Sequence, residues 1–174
     1  FSTLTICALS GMGGVGKTTL ATEFAHKYSQ FYQFVYWMDG SSKREFMASC
    51  ISLLNVLGIR IPEEKEDNEE HYFSNIIRLI NTFLPRHKKN WLLVVDNIEE
   101  SEFATEFAPA GGHVLYTSRN RDWLKKLEID VFKPNESVAY LLQMIGFDES
   151  HRDEAMALAI ELDHLPLALA QAAA

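Results

Sequence analysis

Near its start the chain carries the run Gly11-Met12-Gly13-Gly14-Val15-Gly16-Lys17-Thr18-Thr19. A glycine, four residues and then Gly-Lys-Thr make up the phosphate-binding P-loop motif. Its glycines permit a tight turn and leave room for an anion beside main-chain N–H groups that point inward. Lys17 is placed to reach the β- and γ-phosphates, and the Thr18 hydroxyl to ligate Mg²⁺. The run therefore predicts a nucleotide-phosphate site.

The segments on either side of the loop are of the kind that a P-loop needs. An apolar, partly β-branched run of strand length, residues 4–9, precedes it, and a helical pattern over residues 18–28 follows it. The helix adds its positive N-terminal end to the anion site. A glycine-rich turn that binds nothing is the alternative, and these flanks disfavour it. The apolar residues that share one face of the predicted helix are Leu20, Phe24 and Tyr28.

Composition limits the class of protein. The chain has 174 residues, 47% of them hydrophobic and 23% charged, which predicts a soluble protein with one core and a small appendage. The net charge is −8, and the segment 63–70 alone holds six acids and one lysine. We therefore expect no nucleic-acid partner. No apolar run reaches membrane length, so we expect no membrane partner.

Cysteine usage and the two ends of the chain bear on location and completeness. The two cysteines have no CxxC spacing, and no N-terminal signal is present, which favours a cytoplasmic protein. Phe1 opens almost directly onto a strand, and the helical pattern is still running at Ala174. We therefore expect a fragment of a longer protein.

Four further runs have strand character: Phe34–Asp39, Trp91–Asn97, His113–Arg119 and Ile129–Phe132. The second of them is continuously apolar until it reaches an acid, which is typical of a parallel strand buried on both faces. Asp96 would then lie at the sheet edge where α/β proteins place ligands. Behind a P-loop it matches the Walker B aspartate that holds Mg²⁺. The alternative is that Asp96 caps a helix over residues 98–107.

The predicted strand at His113–Arg119 ends in Thr-Ser-Arg. Arg119 would therefore lie at the same sheet edge, where its guanidinium can meet a phosphate, and a surface arginine is the alternative. An acidic loop is predicted at 63–70 and helices over residues 43–57 and 73–84, with Gly58 and Pro85 as their stop signals.

Beyond Pro134 the pattern is only helical, which predicts a domain boundary. Residues 1–134 would form a P-loop nucleotide-binding domain, and residues 135–174 a truncated helical subdomain. The expected fold class is α/β: a mainly parallel five-stranded sheet flanked by helices, followed by the start of a small helical domain.

Five segments resemble motifs of the NB-ARC, or STAND, signalling ATPases, which include plant disease-resistance proteins and apoptotic protease-activating factors. They are Gly11–Ala21, Val35–Asp39 with its two following serines, Leu92–Asp96, Val114–Arg119 and His164–Leu169. The resemblance implies that Arg119 senses the γ-phosphate and that Pro166 packs against the base. It also implies that the strand ending near Arg119 lies between the P-loop and Walker B strands, an ADP-locked resting state, and an ATP state able to self-associate.

The chain departs from that family pattern in several places. His164 stands where the family has glycine, and Asn97 where many members carry a second acid. The segment that contacts adenine before the first strand is missing or reduced to residues 1–3. A winged-helix domain that supplies a histidine to the ADP β-phosphate would lie beyond Ala174.

Together these observations predict an ATP- and ADP-binding molecular switch in a larger signalling or defence protein, with slow or no ATP hydrolysis. The predicted catalytic residues are Asp96, Asn97 and Arg119, and the partners are an adenine nucleotide, the flanking domains and a second copy in the ATP state. One alternative is a P-loop small-molecule kinase, which needs an arginine-rich lid where residues 58–70 are acidic. The other is a DNA-associated ATPase, which needs a basic face.

Overall fold

In the computed structural model, the described residues are 5–62, 69–87, 90–99, 106–107, 109–123 and 125–174. Within them, five strands form one sheet in the order β2-β3-β4-β1-β5. The strands are β1 (Thr5–Ser10), β2 (Phe34–Asp39), β3 (Trp91–Asp96), β4 (His113–Ser118) and β5 (Lys126–Glu128).

The central strand pairs of the sheet are parallel: β2 with β3, β3 with β4, and β4 with β1. The predicted α/β class with a mainly parallel sheet is therefore confirmed. The first five residues of β3 are buried, as the continuous apolar run predicted. Strand β4 separates β3 from β1, in agreement with the implied strand order.

Six α-helices are present in the described part of the chain. They are α1 (Lys17–Tyr28), α2 (Lys43–Val56), α3 (Glu69–His87), α4 (Pro134–Ile145), α5 (Arg152–Glu161) and α6 (Pro166–Ala172). The Ser42 hydroxyl caps α2 by accepting from the Glu45 N–H, and Gly58 follows with a left-handed φ of 70°. None of these helices has both the length and the apolar character to cross a bilayer.

Two expectations about local structure were wrong. Helix α3 does not stop at Pro85 but runs to His87, because a proline in the last turn removes only one main-chain hydrogen bond. The strand predicted at residues 129–132 lies earlier, at β5. The apolar residue Phe132 instead packs on the buried cluster of the C-terminal helices.

Helix α1 carries two apolar stripes, and the structure shows which of them is buried. Leu20, Phe24 and Tyr28 are 36–41% exposed, whereas Ala21 and Ala25 are buried. Two apolar stripes lie side by side on this helix, and periodicity alone does not say which of them faces inward. The smaller side chains are the buried ones.

The described chain divides into two compact units. The first comprises residues up to Ser10 together with Thr18–Leu127, and the second comprises Gly11–Lys17 together with Glu128–Ala174. In the first, α2 and α3 pack on the sheet around Trp91, Tyr116 and Phe46. In the second, α4, α5 and α6 bury a smaller cluster of leucine, valine and alanine side chains.

The domain boundary after residue 134 stays a prediction. Most of the acidic loop, residues 63–68, and most of the helix over 98–107 lie outside the described residues, while Glu69 and Glu70 begin α3.

Candidate nucleotide-binding site

The P-loop runs from the end of β1 to the start of α1, and its backbone explains its glycines. Gly14 and Gly16 have φ values of 79° and 95°, which side chains disfavour. A Cβ on Gly11 would collide with the carbonyl oxygen of Ile129. Each of these positions therefore requires glycine. The other loop residues are exposed at Met12, Gly13 and Thr19 and buried at Val15.

Lys17 folds back over its own loop. Its Nζ donates to the carbonyl oxygens of Gly11 at 2.9 Å and Met12 at 2.6 Å. These bonds hold the ammonium charge at the loop, where incoming phosphate oxygens would accept charge-assisted hydrogen bonds. The main chain of the loop thus positions the lysine.

The second unit also brings the N-terminus of α6 against the loop. The Leu167 N–H donates to the carbonyl oxygen of Gly14 at 3.1 Å. A Cβ on Gly14 would lie 3.2 Å from Leu167 Cβ and 3.4 Å from Leu165 Cδ2. Pro166 lies between these two leucines in the sequence and is the first residue of α6. Its side chain is partly buried. Its contact with the base stays a prediction.

The turn before α6 is unusual because two residues other than glycine are left-handed. Asp163 and His164 have φ values of 50° and 54°. His164 Nδ1 lies 3.0 Å from the hydroxyl of the buried Ser137, and the His164 carbonyl accepts from the Phe132 N–H at 3.1 Å. These bonds stabilise a left-handed conformation that residues other than glycine rarely adopt.

In the first unit, Asp96 receives two threonine hydroxyls. Thr18 Oγ1 donates to Asp96 Oδ1 at 2.9 Å, and Thr117 Oγ1 donates to the same oxygen. The two predicted Mg²⁺ ligands therefore lie within hydrogen-bond distance of each other. Hydroxyl and carboxylate oxygens are the donors that Mg²⁺ prefers, so the residues fit that ion. Among the described residues, no group of three or more histidine, cysteine, aspartate or glutamate side chains is arranged to hold a metal ion.

Sequence reasoning missed Thr117. The sequence signal that could have pointed to Thr117 is its position as a polar residue near the carboxyl end of β4, at the edge where ligands bind. The register pairs Val95 with Tyr116, which places Asp96 beside Thr117. That proximity becomes visible only once β3 and β4 are known to be neighbours.

Asn97 leaves β3 in a left-handed conformation with a φ of 61°. Its N–H donates to Thr117 Oγ1 at 2.8 Å, and the Ile98 N–H donates to the Thr117 carbonyl at 2.9 Å. The residue is exposed. Asparagine tolerates this conformation better than most side chains, which gives the residue a local structural reason to be there. Its catalytic role stays a prediction.

Arg119 follows β4 and is ion-paired. Its Nη1 lies 3.7 Å from Glu99 Oε1, and the two side chains are 64% and 56% exposed. Asp39, which sequence reasoning did not single out, is the register partner of Asp96 on β2. Hydrogen bonds from the Ser41 side chain and main chain lower the pKa of Asp39. The carboxyl edge of the first unit thus carries the carboxylates of Asp39 and Asp96, with the Arg119–Glu99 pair just beyond β4 and β3.

Comparison with known proteins gives consistent matches. A family model described as NB-ARC domain matches residues 2–151. The regulatory protein AfsR of Streptomyces griseus is 26% identical over 188 residues, covering 99% of this chain and 18% of that protein. The probable disease resistance protein At4g14610 of Arabidopsis thaliana is 31% identical over 134 residues, covering 72% of this chain and 18% of that protein. The chain thus spans less than a fifth of these relatives.

One solved structure resembles the fold. It is titled "Structure of Drosophila ORC bound to DNA", and it matches with a TM-score of 0.56 at 15% identity, covering 99% of this chain and 55% of that chain. At that identity the match bears on the fold alone.

Proposed function

The chain belongs to the NB-ARC domain family, whose fold is that of a P-loop nucleotide-binding domain, and from this we propose that it is an ATP- and ADP-operated switch within a larger signalling or defence protein. The observation that carries the proposal is the hydrogen bond from the Leu167 N–H to the Gly14 carbonyl. It joins the predicted phosphate loop to the helical segment. A change in the loop conformation on nucleotide binding would therefore alter the position of α6.

Each predicted site residue has a role in this proposal. The loop N–H groups and Lys17 bind the α-, β- and γ-phosphates, and Pro166 packs on the base. Thr18 and Asp96 hold Mg²⁺, which when bound neutralises phosphate charge. Arg119 reads the presence of the γ-phosphate.

We propose slow or absent hydrolysis because Asn97 follows Asp96. An amide can orient a water by hydrogen bonding but cannot accept its proton as a carboxylate does. Slow turnover suits a switch, since the ATP state must persist while copies assemble. Two relatives are named as a regulatory protein and a probable disease resistance protein, which supports the signalling role. The proposed partners are the flanking domains and a second copy of the chain.

Two other functions are less well supported. A DNA-associated ATPase would need a basic surface, and the net charge of −8 disfavours one. A small-molecule kinase would need basic lid residues where 63–70 holds six acids. Turnover of a metabolite panel, or a salt-dependent shift with DNA, would favour these alternatives over the switch.

Hydrogen exchange tests the switch directly. We expect ADP to protect residues 160–170, because nucleotide in the P-loop would stabilise the contact between α6 and Gly14. The matched control is Lys17→Ala, which should lose this protection together with ADP affinity. If calorimetry shows that ADP binds while exchange over 160–170 is unchanged, the helical segment is not coupled to the nucleotide and the switch proposal is wrong.

A further inference from the structure

The ion pair between Glu99 and Arg119 suggests how the site distinguishes ATP from ADP. We propose that Glu99 is a specificity residue that holds the Arg119 guanidinium while no γ-phosphate is present, and so biases the site towards ADP. The inference rests on the proposed function, in which Arg119 reads the γ-phosphate. It assigns to Glu99 a role that neither the P-loop nor the Walker B pattern contains.

The main chain places the pair. After β3 ends, two hydrogen bonds continue the contact between the strands: Asn97 N–H to Thr117 Oγ1 at 2.8 Å, and Ile98 N–H to the Thr117 carbonyl at 2.9 Å. Glu99 is the residue after Ile98 in the segment that follows β3, and Arg119 is the first residue after β4. The two hydrogen bonds thus keep the segments that carry Glu99 and Arg119 close together, and the side chains meet at 3.7 Å.

The strength of the pair suits exchange. Both side chains are more than half exposed, and exposed ion pairs contribute little because water and salt screen them. Such a pair orients Arg119 without trapping it. A γ-phosphate offers more negative charge and more acceptor oxygens than one carboxylate, so it can replace Glu99 as the partner. ATP must displace Glu99 whereas ADP need not, and the difference lowers ATP affinity relative to ADP.

The Glu99 carboxylate also lowers ATP affinity in a second way. Its negative charge, held beside Arg119 by the ion pair, repels a γ-phosphate that approaches this guanidinium. Removing the charge while keeping the size, as in Glu99→Gln, eliminates both the competition and the repulsion. A surface ion pair without a functional role predicts no change in nucleotide preference.

The test is a double-mutant cycle on the 174-residue chain. Calorimetry with Mg²⁺ gives the affinity for ADP and for a non-hydrolysable ATP analogue in the wild type, Glu99→Gln, Arg119→Gln and the double variant. Glu106→Gln is the matched control, because it removes the same charge from another exposed position of the first unit. Circular dichroism checks that each variant is folded.

We expect Glu99→Gln to raise the ratio of ATP-analogue to ADP affinity by about three- to fivefold, which corresponds to about 0.7–1 kcal/mol. Arg119→Gln should lower the ratio, and in that background Glu99→Gln should have little further effect. The gain should shrink at about 1 M salt, where the Debye length is about 3 Å.

Two results would overturn the inference while leaving the proposed function intact. In one, Glu99→Gln changes the ratio no more than Glu106→Gln does, although Arg119→Gln lowers it. In the other, the full gain persists without Arg119, so that Glu99 acts independently of the guanidinium. If Arg119→Gln leaves the ratio unchanged, Arg119 does not read the γ-phosphate, and both this inference and that part of the proposed function are wrong.

Discussion

The Leu167 N–H donates a hydrogen bond of 3.1 Å to the carbonyl oxygen of Gly14. In a planar trans peptide the carbonyl and the next N–H point in opposite directions. The bond that turns the Gly14 carbonyl towards α6 therefore turns the Val15 N–H away from it. The helix N-terminus thus helps to orient a donor of the loop, and changes at Gly14 should affect stability and nucleotide binding together.

Gly14→Ala is expected to destabilise the chain by more than the cost of a left-handed alanine alone. The added Cβ would lie 3.2 Å from Leu167 Cβ at a φ of 79°. Gly58→Ala is the matched control, because Gly58 has a φ of 70° with nothing within 4 Å of the added Cβ. We expect about 1 kcal/mol for Gly58→Ala and a further loss of about 1 kcal/mol, with weaker ADP binding, for Gly14→Ala. Urea unfolding and calorimetry measure both, and equal losses would mean that the Leu167 contact is unimportant.

Lys17→Ala should weaken ADP binding by about ten- to a hundredfold. Charge-assisted hydrogen bonds contribute about 1.5–3 kcal/mol, and about 1.4 kcal/mol is a factor of ten. Lys27→Ala, an exposed change on the same helix, is the control for lost charge. Calorimetry that finds the same ADP affinity in Lys17→Ala and Lys27→Ala would contradict the phosphate-loop assignment.

Asp96→Ala should abolish most of the Mg²⁺ dependence of ATP binding. Asp96 is the carboxylate that contacts the Thr18 hydroxyl, at 2.9 Å. Asp39→Asn is the control, since Asp39 is the register partner of Asp96 on β2 and lies at the same edge of the sheet. We expect Asp39→Asn to retain the Mg²⁺ response. If ATP titrations of Asp96→Ala respond to Mg²⁺ as the wild type does, Asp96 has a structural role only.

Single-turnover assays with excess protein and Mg-ATP should give rates well below the roughly 1–100 s⁻¹ of kinases. Asn97→Asp should raise the rate by supplying a carboxylate base. Asn97→Gly keeps the left-handed backbone, with its φ of 61°, while removing the amide. A lower rate in Asn97→Gly would indicate that the side chain orients water. Equal rates in all three proteins would show that position 97 does not handle the water, and a fast wild type would refute the slow switch.

Acid should reduce the stability contribution of Asp39. Hydrogen bonds from Ser41 lower its pKa in the folded state, so the contribution is complete above the unfolded pKa of about 3.9. It is lost as the pH falls through the folded pKa. We expect the difference in unfolding free energy between wild type and Asp39→Asn to narrow between about pH 5 and pH 2. A difference that is constant over this range would contradict the role of the Ser41 bonds.

Four of the five strands, and the order of the motifs, could be predicted from the sequence. The apolar run before Asp96 is β3, and it is buried as its composition required. Gly16 takes the positive φ that the tight turn of the motif implied. These features depend on local backbone sterics and on the number of consecutive apolar residues, and both can be read directly from a short segment of the sequence.

Other features were decided by which elements become neighbours. Period alone could not tell that α1 buries Ala21 and Ala25 and exposes Phe24, because burial depends on what faces each stripe. Thr117 contacts Asp96 only because β4 lies beside β3.

The sequence by itself determined the nucleotide-binding fold and its family, because a phosphate loop needs particular residues at fixed spacing in one short segment. Only the tertiary structure decided that α6 contacts Gly14 and that Glu99 pairs with Arg119. The first contact joins residues about 150 positions apart in the chain. Such contacts follow from strand order and helix packing, in which many weak interactions act together, and no local pattern encodes them.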